Sequence, residues 1–483
     1  MSEVTALVDI GGSSIKVSIY SKSIDEIVSV TESASPTASG DAVTQDPSWL
    51  FDKIRLAMNA AGAALTPGTR IEKVVVSSIR QGFCLIAGEE VLTPLIYNSD
   101  TSGRHGEEEV LSYGHERLYN ETGHWFAPQL TLPKIVQLKK VSPELFHAET
   151  RLAFVHDWLV WHLTGILQTE MTLVSSGQLA LLSEDRVHVT LLEYFGFNGK
   201  LIPPLGKFSE GVGGLRRSIK EELGPEWQSV VVHVGGGDSH FLHMGGSSND
   251  PGTIVVSAGS STPVSYLKTD LKHSILARPW ISTSFVEGLY FHEGNCGYPG
   301  TYFGWLKVHS EAGEFFEPST VSEDEINAAP EVFGSCQHWS YESWRNCPPF
   351  AILNQNAFLN ANQLMLGLIL DYAFSLKSQI LDLIDGQMAS SEKVVITGGG
   401  ANEFLGRLLQ TILGKKVQII NSDECAKNLL HLISTGSARE TSSYTPLKSF
   451  DAKITNSLLR LEKDHARDYL SIEGSREMIR NVE

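Results

Sequence analysis

The residues of this 483-residue chain that invite chemistry are glycines at the ends of strand-like runs, with carboxylates close by. Val4 to Asp9 is a short apolar run broken by Gly11, Gly12, Ser13 and Ser14, with Lys16 just beyond. Val230 to Val234 leads into Gly235, Gly236, Gly237 and Asp238. Thr253 to Val256 leads into Gly259, Ser260 and Ser261, and Val394 to Thr397 into Gly398, Gly399, Gly400, Ala401 and Asn402. A glycine turn offers backbone N–H groups where no side chain blocks close approach, so phosphate is the natural guest. The pattern GxxxxGK(S/T) is absent and no GxGxxG opens a first βαβ unit, which turns the reading from P-loop and Rossmann chemistry toward a hairpin-type phosphate cradle.

Such turns need strands and helices to carry them. Ile15 to Tyr20 alternates like a strand, so with Val4–Asp9 it predicts a β-hairpin whose turn is rich in glycine and hydroxyls. The stretch SHFLHMGG after Asp238 predicts a helix, which gives Asp238 a bland alternative role as its N-cap. Leu364, Leu368, Tyr372, Leu376, Ile380 and Leu383 recur at steps of four or three and mark one face of a packing helix. The last glycine turn runs into a helix-like segment through Leu413, closed by Gly414. Strands and helices alternate in both halves, an α/β architecture on mixed sheets. The length fits two domains of roughly 200 to 250 residues with a cleft between them. The turn-forming GGSSNDPG at 245–252 sets the boundary, giving domains 1–248 and 249–442, with 443–483 as a helical appendage around Ile454, Leu458, Leu461 and Tyr469.

Composition narrows the class. With 42% hydrophobic and 19% charged residues the chain has ample apolar surface to bury. A net charge of −18 and no dense Lys/Arg run speak against a nucleic-acid or anionic-membrane surface. The N-terminus lacks the basic and apolar regions of a signal peptide, and no apolar run approaches the ~18 residues of a membrane span, so a cytoplasmic protein is expected. The five cysteines (Cys84, Cys296, Cys336, Cys347, Cys425) form no CxxC pair and no zinc-ligand spacing and read as reduced, buried thiols.

From Val8 to about Val417 the motifs resemble those of the FGGY carbohydrate kinases, whose fold is the duplicated ribonuclease-H-like domain shared with hexokinase, actin and the 70-kDa heat-shock proteins. Asp9-Ile10-Gly11-Gly12-Ser13-Ser14 with Lys16 resembles the first phosphate motif, which implies Asp9 as the magnesium-side carboxylate. His156-Asp157-Trp158 through Leu163-Thr164-Gly165 is similar to DYLxxxLTG, and Glu170 with Thr172, Ser175 and Ser176 to DxSxAS, both mostly structural markers. Gly235-Gly236-Gly237-Asp238 resembles GGGD, whose Asp is the catalytic base. Gly259-Ser260-Ser261 resembles the second phosphate motif, with Ser260 where Thr is usual. Gly398 to Asn402, followed by Gln410 and Leu413-Gly414-Lys415-Lys416-Val417, resembles the adenosine motif.

The resemblance implies an ATP- and Mg²⁺-dependent kinase acting on a hydroxyl of a small sugar or polyol. Arg80 and Gln81, in SSIRQG after a strand, stand where the family places substrate contacts and would supply a fork of donors; a surface pair is the bland alternative. Asp100, in Tyr97-Asn98-Ser99-Asp100, and Trp125, with Pro128 and Lys134 after it, complete the implied sugar side. Trp125 reads equally well as core. The Arg that follows this Asp in the family is replaced by Ser102, with Arg104 two residues later, and the alanine-rich helix after residue 421 by AKNLLHLISTG. SSIRQG and NSD come nearest to the autoinducer-2 kinase branch, with xylulokinase-like, ribulokinase-like and fuculokinase-like readings open. A nucleotide-binding regulatory pseudokinase on the same fold is the alternative, an acceptor-free ATPase is disfavoured by GGGD, and a homodimer is left open.

Overall fold

The computed structural model describes residues 3–248, 250–259, 261–272, 278–297, 299–300, 302–304, 321–333, 351–353, 360–384, 392–435 and 447–480; Ser260, Cys336 and Cys347 lie outside them. The chain forms two compact units, one of Met1–Phe241, Trp280–Phe291 and Ala426–Ser437, the other of Leu242–Pro279, His292–Cys425 and Ala438–Glu483.

In the first unit, β1 (Glu3–Ile10), β2 (Ser14–Tyr20), β3 (Glu26–Ser33), β4 (Arg70–Ser78), β5 (Gly211–Gly214) and β6 (Val231–Gly237) form one sheet in the order β5-β6-β4-β1-β2-β3. The expected hairpin is present: β1 and β2 are antiparallel, with Asp9 opposite Lys16. β4 lies parallel to both β1 and β6. Val74, Val75 and Val76 of β4 are fully buried, as a β-branched run must be in a strand covered on both faces. Helix α1 (Pro47–Ala63) starts where Asp46 accepts the Trp49 N–H and Pro47 fixes the first turn. It packs against β2 and β3; α2 (Thr131–Val141) lies beside the 102–111 segment, α3 (Val155–Thr164) packs against β4 and β6, and α4 (Met171–Ser176) against β6. Val8, Ile10, Ile54, Met58, Val74, Trp158 and Leu163 belong to one core cluster, each such side chain stabilising the fold by roughly 1.5–3 kcal/mol through burial.

Helix α5 (Asp238–Ser247) leads into the second unit, where β7 (Thr253–Ser257), β8 (Pro263–Lys268), α6 (Ala361–Leu383), β9 (Lys393–Thr397), α7 (Glu403–Leu413), β10 (Val417–Ile419) and α8 (Ala452–Arg480) follow. Its sheet contains the order β8-β7-β9-β10, with β7 antiparallel to β8 and parallel to β9. A hairpin whose first strand runs parallel to a later one thus occurs in both units. Leu366, Leu370, Leu376 and Ile380 of α6 share a core cluster with Ile254 and Val256 of β7, Leu405 and Leu409 of α7, and Ile454 and Leu458 of α8.

One expectation needs correction. By length and composition α6 is apolar and long enough to cross a membrane. No uninterrupted apolar run marks it in the sequence, because Asp371 and Lys377 break the run without spoiling its average. The physical reason for its character lies in the core: most of the segment is buried, and a helix buried round most of its circumference is apolar round most of it. Asp371 accepts a hydrogen bond from His465 Nε2 of α8 at 2.9 Å. Cys84, Cys296 and Cys425 are free and buried.

Candidate active site

The first unit brings three of the sequence-predicted residues to the carboxyl ends of three parallel strands, the edge at which open α/β sheets place ligands. Asp9 of β1 pairs with Ser77 of β4, and Ser77 with Gly236 of β6, so Asp9, the turn after Ser78 and Asp238 issue from one level. Burial raises the Asp9 carboxyl above its ordinary pKa, against the opposing effects of the Ser77 hydroxyl bonded to it and the Lys16 charge. In the hairpin turn Gly11 N–H donates to Ser14 O at 2.8 Å and Ala34 N–H to Ser13 O at 3.0 Å. A Cβ on Gly12 would meet nothing within 4 Å, which leaves that backbone open to an incoming group. Lys16 Nζ lies 3.8 Å from Glu26.

The glycines before Asp238 are there for closeness. A Cβ on Gly235 would fall 1.7 Å from Val76 O, one on Gly236 would meet the Phe285 ring at 2.5 Å, and one on Gly237 would meet Arg80 Cγ at 2.6 Å. The Arg80 stem therefore lies along the Gly237 backbone, and its Nε comes 3.7 Å from Asp238 Oδ1. Arg80 is buried, while the Asp238 side chain keeps 33% exposure. Asp238 Oδ1 accepts the Ser239 N–H at 2.7 Å, so the carboxylate is oriented from below by its own helix start and from the side by a guanidinium.

Arg80 and Gln81 part company in their surroundings. Gln81 has a left-handed backbone, φ 59°, and its carbonyl accepts Lys134 Nζ at 2.8 Å and Thr131 Oγ1 at 3.3 Å. Its side-chain amide donates to Ser176 O at 3.3 Å. Lys134 also donates to Tyr97 O at 2.8 Å, which ties the Arg80 turn to the 97–100 loop. Burial drives the Lys134 pKa down to about 7, opposed by the charge of Asp100. Asp100 is itself buried, accepting the N–H groups of Val43 at 2.8 Å and Ser102 at 2.9 Å. Arg104 Nη1 reaches Asp41 at 3.2 Å. Trp125 is 1% exposed and packs on Trp280 with ring centroids 5.3 Å apart.

In the second unit two further glycine turns meet. Ala258 N–H donates to Thr397 O at 2.7 Å and Gly400 N–H to Ala258 O at 2.8 Å, so the chain entering Gly259 and the Gly398–Asn402 turn are laced together. Gly398 has φ +95°, and a Cβ there would sit 2.5 Å from Ala258 O. Gly399 stands in open space. Ala401 N–H closes the turn on Gly398 O at 3.1 Å, and Asn402 caps α7 by accepting the Leu405 N–H at 3.0 Å.

Several participants have no catalytic or binding role assigned by the motifs. Ser77 bonds the Asp9 carboxyl, as noted. Trp280, Thr283 and Phe285 come from a distant stretch: Thr283 O accepts His240 Nε2 at 3.1 Å, and Phe285 packs on Gly236. Only three-dimensional pairing could have placed them. Behind β6, buried His156 accepts the Gly235 N–H at Nε2, 2.9 Å away. Glu170 caps α4 by accepting the Thr172 N–H at 2.8 Å, and burial pushes its carboxyl up to about 8.

Residues 4–245 match the N-terminal domain of the FGGY family of carbohydrate kinases. Over 378 residues the chain is 25% identical to the putative sugar kinase YoaC of Bacillus subtilis (strain 168), covering 75% of each chain. It is 24% identical over 326 residues to a xylulose kinase of Staphylococcus epidermidis, covering 66% of this chain and 64% of that one. Among solved structures, the ligand-bound xylulose kinase from Lactobacillus acidophilus superposes with a TM-score of 0.83 at 14% identity, covering 99% of this chain and 100% of that chain. Plasmodium falciparum glycerol kinase with ADP superposes with a TM-score of 0.80 at 15% identity, covering 97% and 98%. At such identities the structural likeness is one of fold, the two-domain actin- and hexokinase-like fold. With half of its length matched to the family's own N-terminal domain, the chain belongs to the FGGY family of carbohydrate kinases.

Proposed function

We propose that this sugar kinase transfers the γ-phosphoryl group of ATP to a hydroxyl of a small sugar or polyol, with Asp238 as general base. The observation that carries the reading is the convergence of Asp9, Arg80 and Asp238 on one strand edge, with Arg80 against the Asp238 carboxylate. A sugar hydroxyl is a poor nucleophile in neutral water; a carboxylate within hydrogen-bond reach takes its proton as the new O–P bond forms and the bond to ADP breaks. Asp238 would hold that proton, and Arg80 would orient the carboxylate and donate to the acceptor's hydroxyls. Gly11, Gly12, Ser13 and Ser14, Gly259 with Ser261, and Gly398 to Asn402 would receive the phosphates and nucleoside through backbone N–H groups. The hard oxygen of Asp9, in a setting that disfavours its bare charge, suits Mg²⁺, which when bound neutralises charge on the phosphate oxygens.

The test is ADP release with Mg-ATP across a panel of ketoses, polyols and deoxysugars, repeated with Asp238→Asn. The variant keeps size and an acceptor for the Ser239 N–H but not the base, so kcat should fall by about 10²- to 10⁴-fold with ATP affinity unchanged. A near-normal kcat would overturn the assignment of the base. ATP binding with no ADP release on any sugar would instead favour the nucleotide-binding regulator.

A further inference from the structure

β6 carries a bulge. His233 lies opposite Val75 and Gly236 opposite Ser77, so Val234 and Gly235 together face Val76 alone. A backbone N–H displaced from a buried ladder needs another acceptor. The Gly235 N–H finds His156 Nε2 at 2.9 Å. Because Nε2 accepts, the neutral ring carries its proton on Nδ1, which donates to Asp157 Oδ1 at 2.8 Å. The second Asp157 oxygen accepts the Phe154 N–H at 3.0 Å, which fixes the carboxylate at the start of α3. The side chains of both His156 and Asp157 are 0% exposed, and the Gly235 backbone is pressed against Val76 O.

Three residues beyond Gly235 stands Asp238. A strand that loses its bulge slips by one residue, and a slip of one turns each following side chain to the other face. We propose that His156 is a positioning residue for phosphoryl transfer: locked by Asp157, it accepts the N–H that the bulge expels and so aims the Asp238 carboxylate. This rests on the reading of Asp238 as the base.

The experiment compares His156→Asn with His156→Gln. The Asn amide nitrogen takes the place of Nδ1 and serves Asp157 but cannot reach Gly235; the longer Gln puts an amide oxygen near the place of Nε2. The acceptor is D-xylulose, or the panel sugar turned over fastest. His156→Asn should lower kcat by about tenfold or more, as a misplaced reacting group does, while KM for sugar and ATP stays within about twofold. His156→Gln should hold kcat within about threefold of the unmodified enzyme. Hydrogen exchange at the Gly235 amide should quicken in the Asn variant alone. In an Asp238→Asn background the Asn substitution at 156 should add no further loss, since it acts through that carboxylate. Equal kcat for the two variants, unchanged exchange at Gly235, or a full additional loss in the Asp238→Asn background would each overturn the proposal. A failure of the base reading shows separately, as a near-normal kcat for Asp238→Asn alone. Should His156→Asn not fold, Asp157→Asn, which frees the ring to turn, replaces it with the same expectations.

Discussion

At the scale of the residue, burial sets the charge states beneath the site: Lys134 lies buried with two backbone carbonyls as partners, and Glu170 sits where burial pushes its carboxyl up to about 8. Glu170 makes a pH-dependent prediction. Its folded pKa lies above the ordinary 4.5, so between pH 4.5 and about 8 the folded state holds a proton that the unfolded state has released. That contribution to stability is therefore full below pH 4.5 and falls as pH climbs toward 8. Glu170→Gln removes the titration while keeping an acceptor for the Thr172 N–H. The stability of the variant relative to the parent should accordingly rise with pH over that window, with a slope of at most about 1.4 kcal/mol per pH unit. Urea unfolding at several pH values measures it; a difference independent of pH would sink the claim. Lys134, lowered to about 7, contributes in the other direction, its share of stability rising with pH above that value.

At the scale of the element, strand-then-glycine and helical periodicity were legible because they depend on local spacing. The β1–β2 hairpin, α5 after Asp238, α6, and α7 ended by Gly414 in the left-handed conformation all appear where spacing predicts them. The reason for each glycine was not legible, since the same letter serves open backbone in one turn and contact in another. Gly12 and Gly235 separate these uses. Gly12→Ala meets open space and should leave stability within about 0.5 kcal/mol, while the new methyl hinders phosphate and raises KM for ATP. Gly235→Ala drives a methyl into Val76 O and should destabilise by about 3 kcal/mol or more, since neither backbone can yield cheaply. Denaturant midpoints and KM for ATP on the two variants check this; similar midpoints would contradict the assignment.

At the scale of the whole molecule, alternation of strands and helices and sheer length sufficed for two α/β domains, but the chain is not cut cleanly between them. Trp280–Phe291 and Ala426–Ser437 belong to the first unit although much of the second lies before or between them. Long-range pairing of this kind leaves no periodic trace. A fragment of residues 1–248 lacks Trp280, the neighbour of Trp125, and Thr283, which holds His240 and bonds Ser175 through their hydroxyls. Such a fragment should show the far-ultraviolet circular dichroism of a folded α/β chain with little near-ultraviolet signal, the behaviour of a core without fixed packing. Adding a peptide of residues 280–291 in trans should restore part of the near-ultraviolet signal. A fragment that melts cooperatively on its own would show that the later segments are dispensable.

The character of α6 has a consequence for the chain before it is folded. As it leaves the ribosome, Ala361–Leu383 offers membrane-insertion machinery a stretch of suitable length and hydropathy. Asp371 lies near its middle, where a carboxylate opposes insertion into lipid by roughly 2.5–3.5 kcal/mol. The partner that later bonds this carboxylate, His465, is made 94 residues afterwards. During that interval the same aspartate that will lie buried against α8 opposes transfer of the segment into lipid.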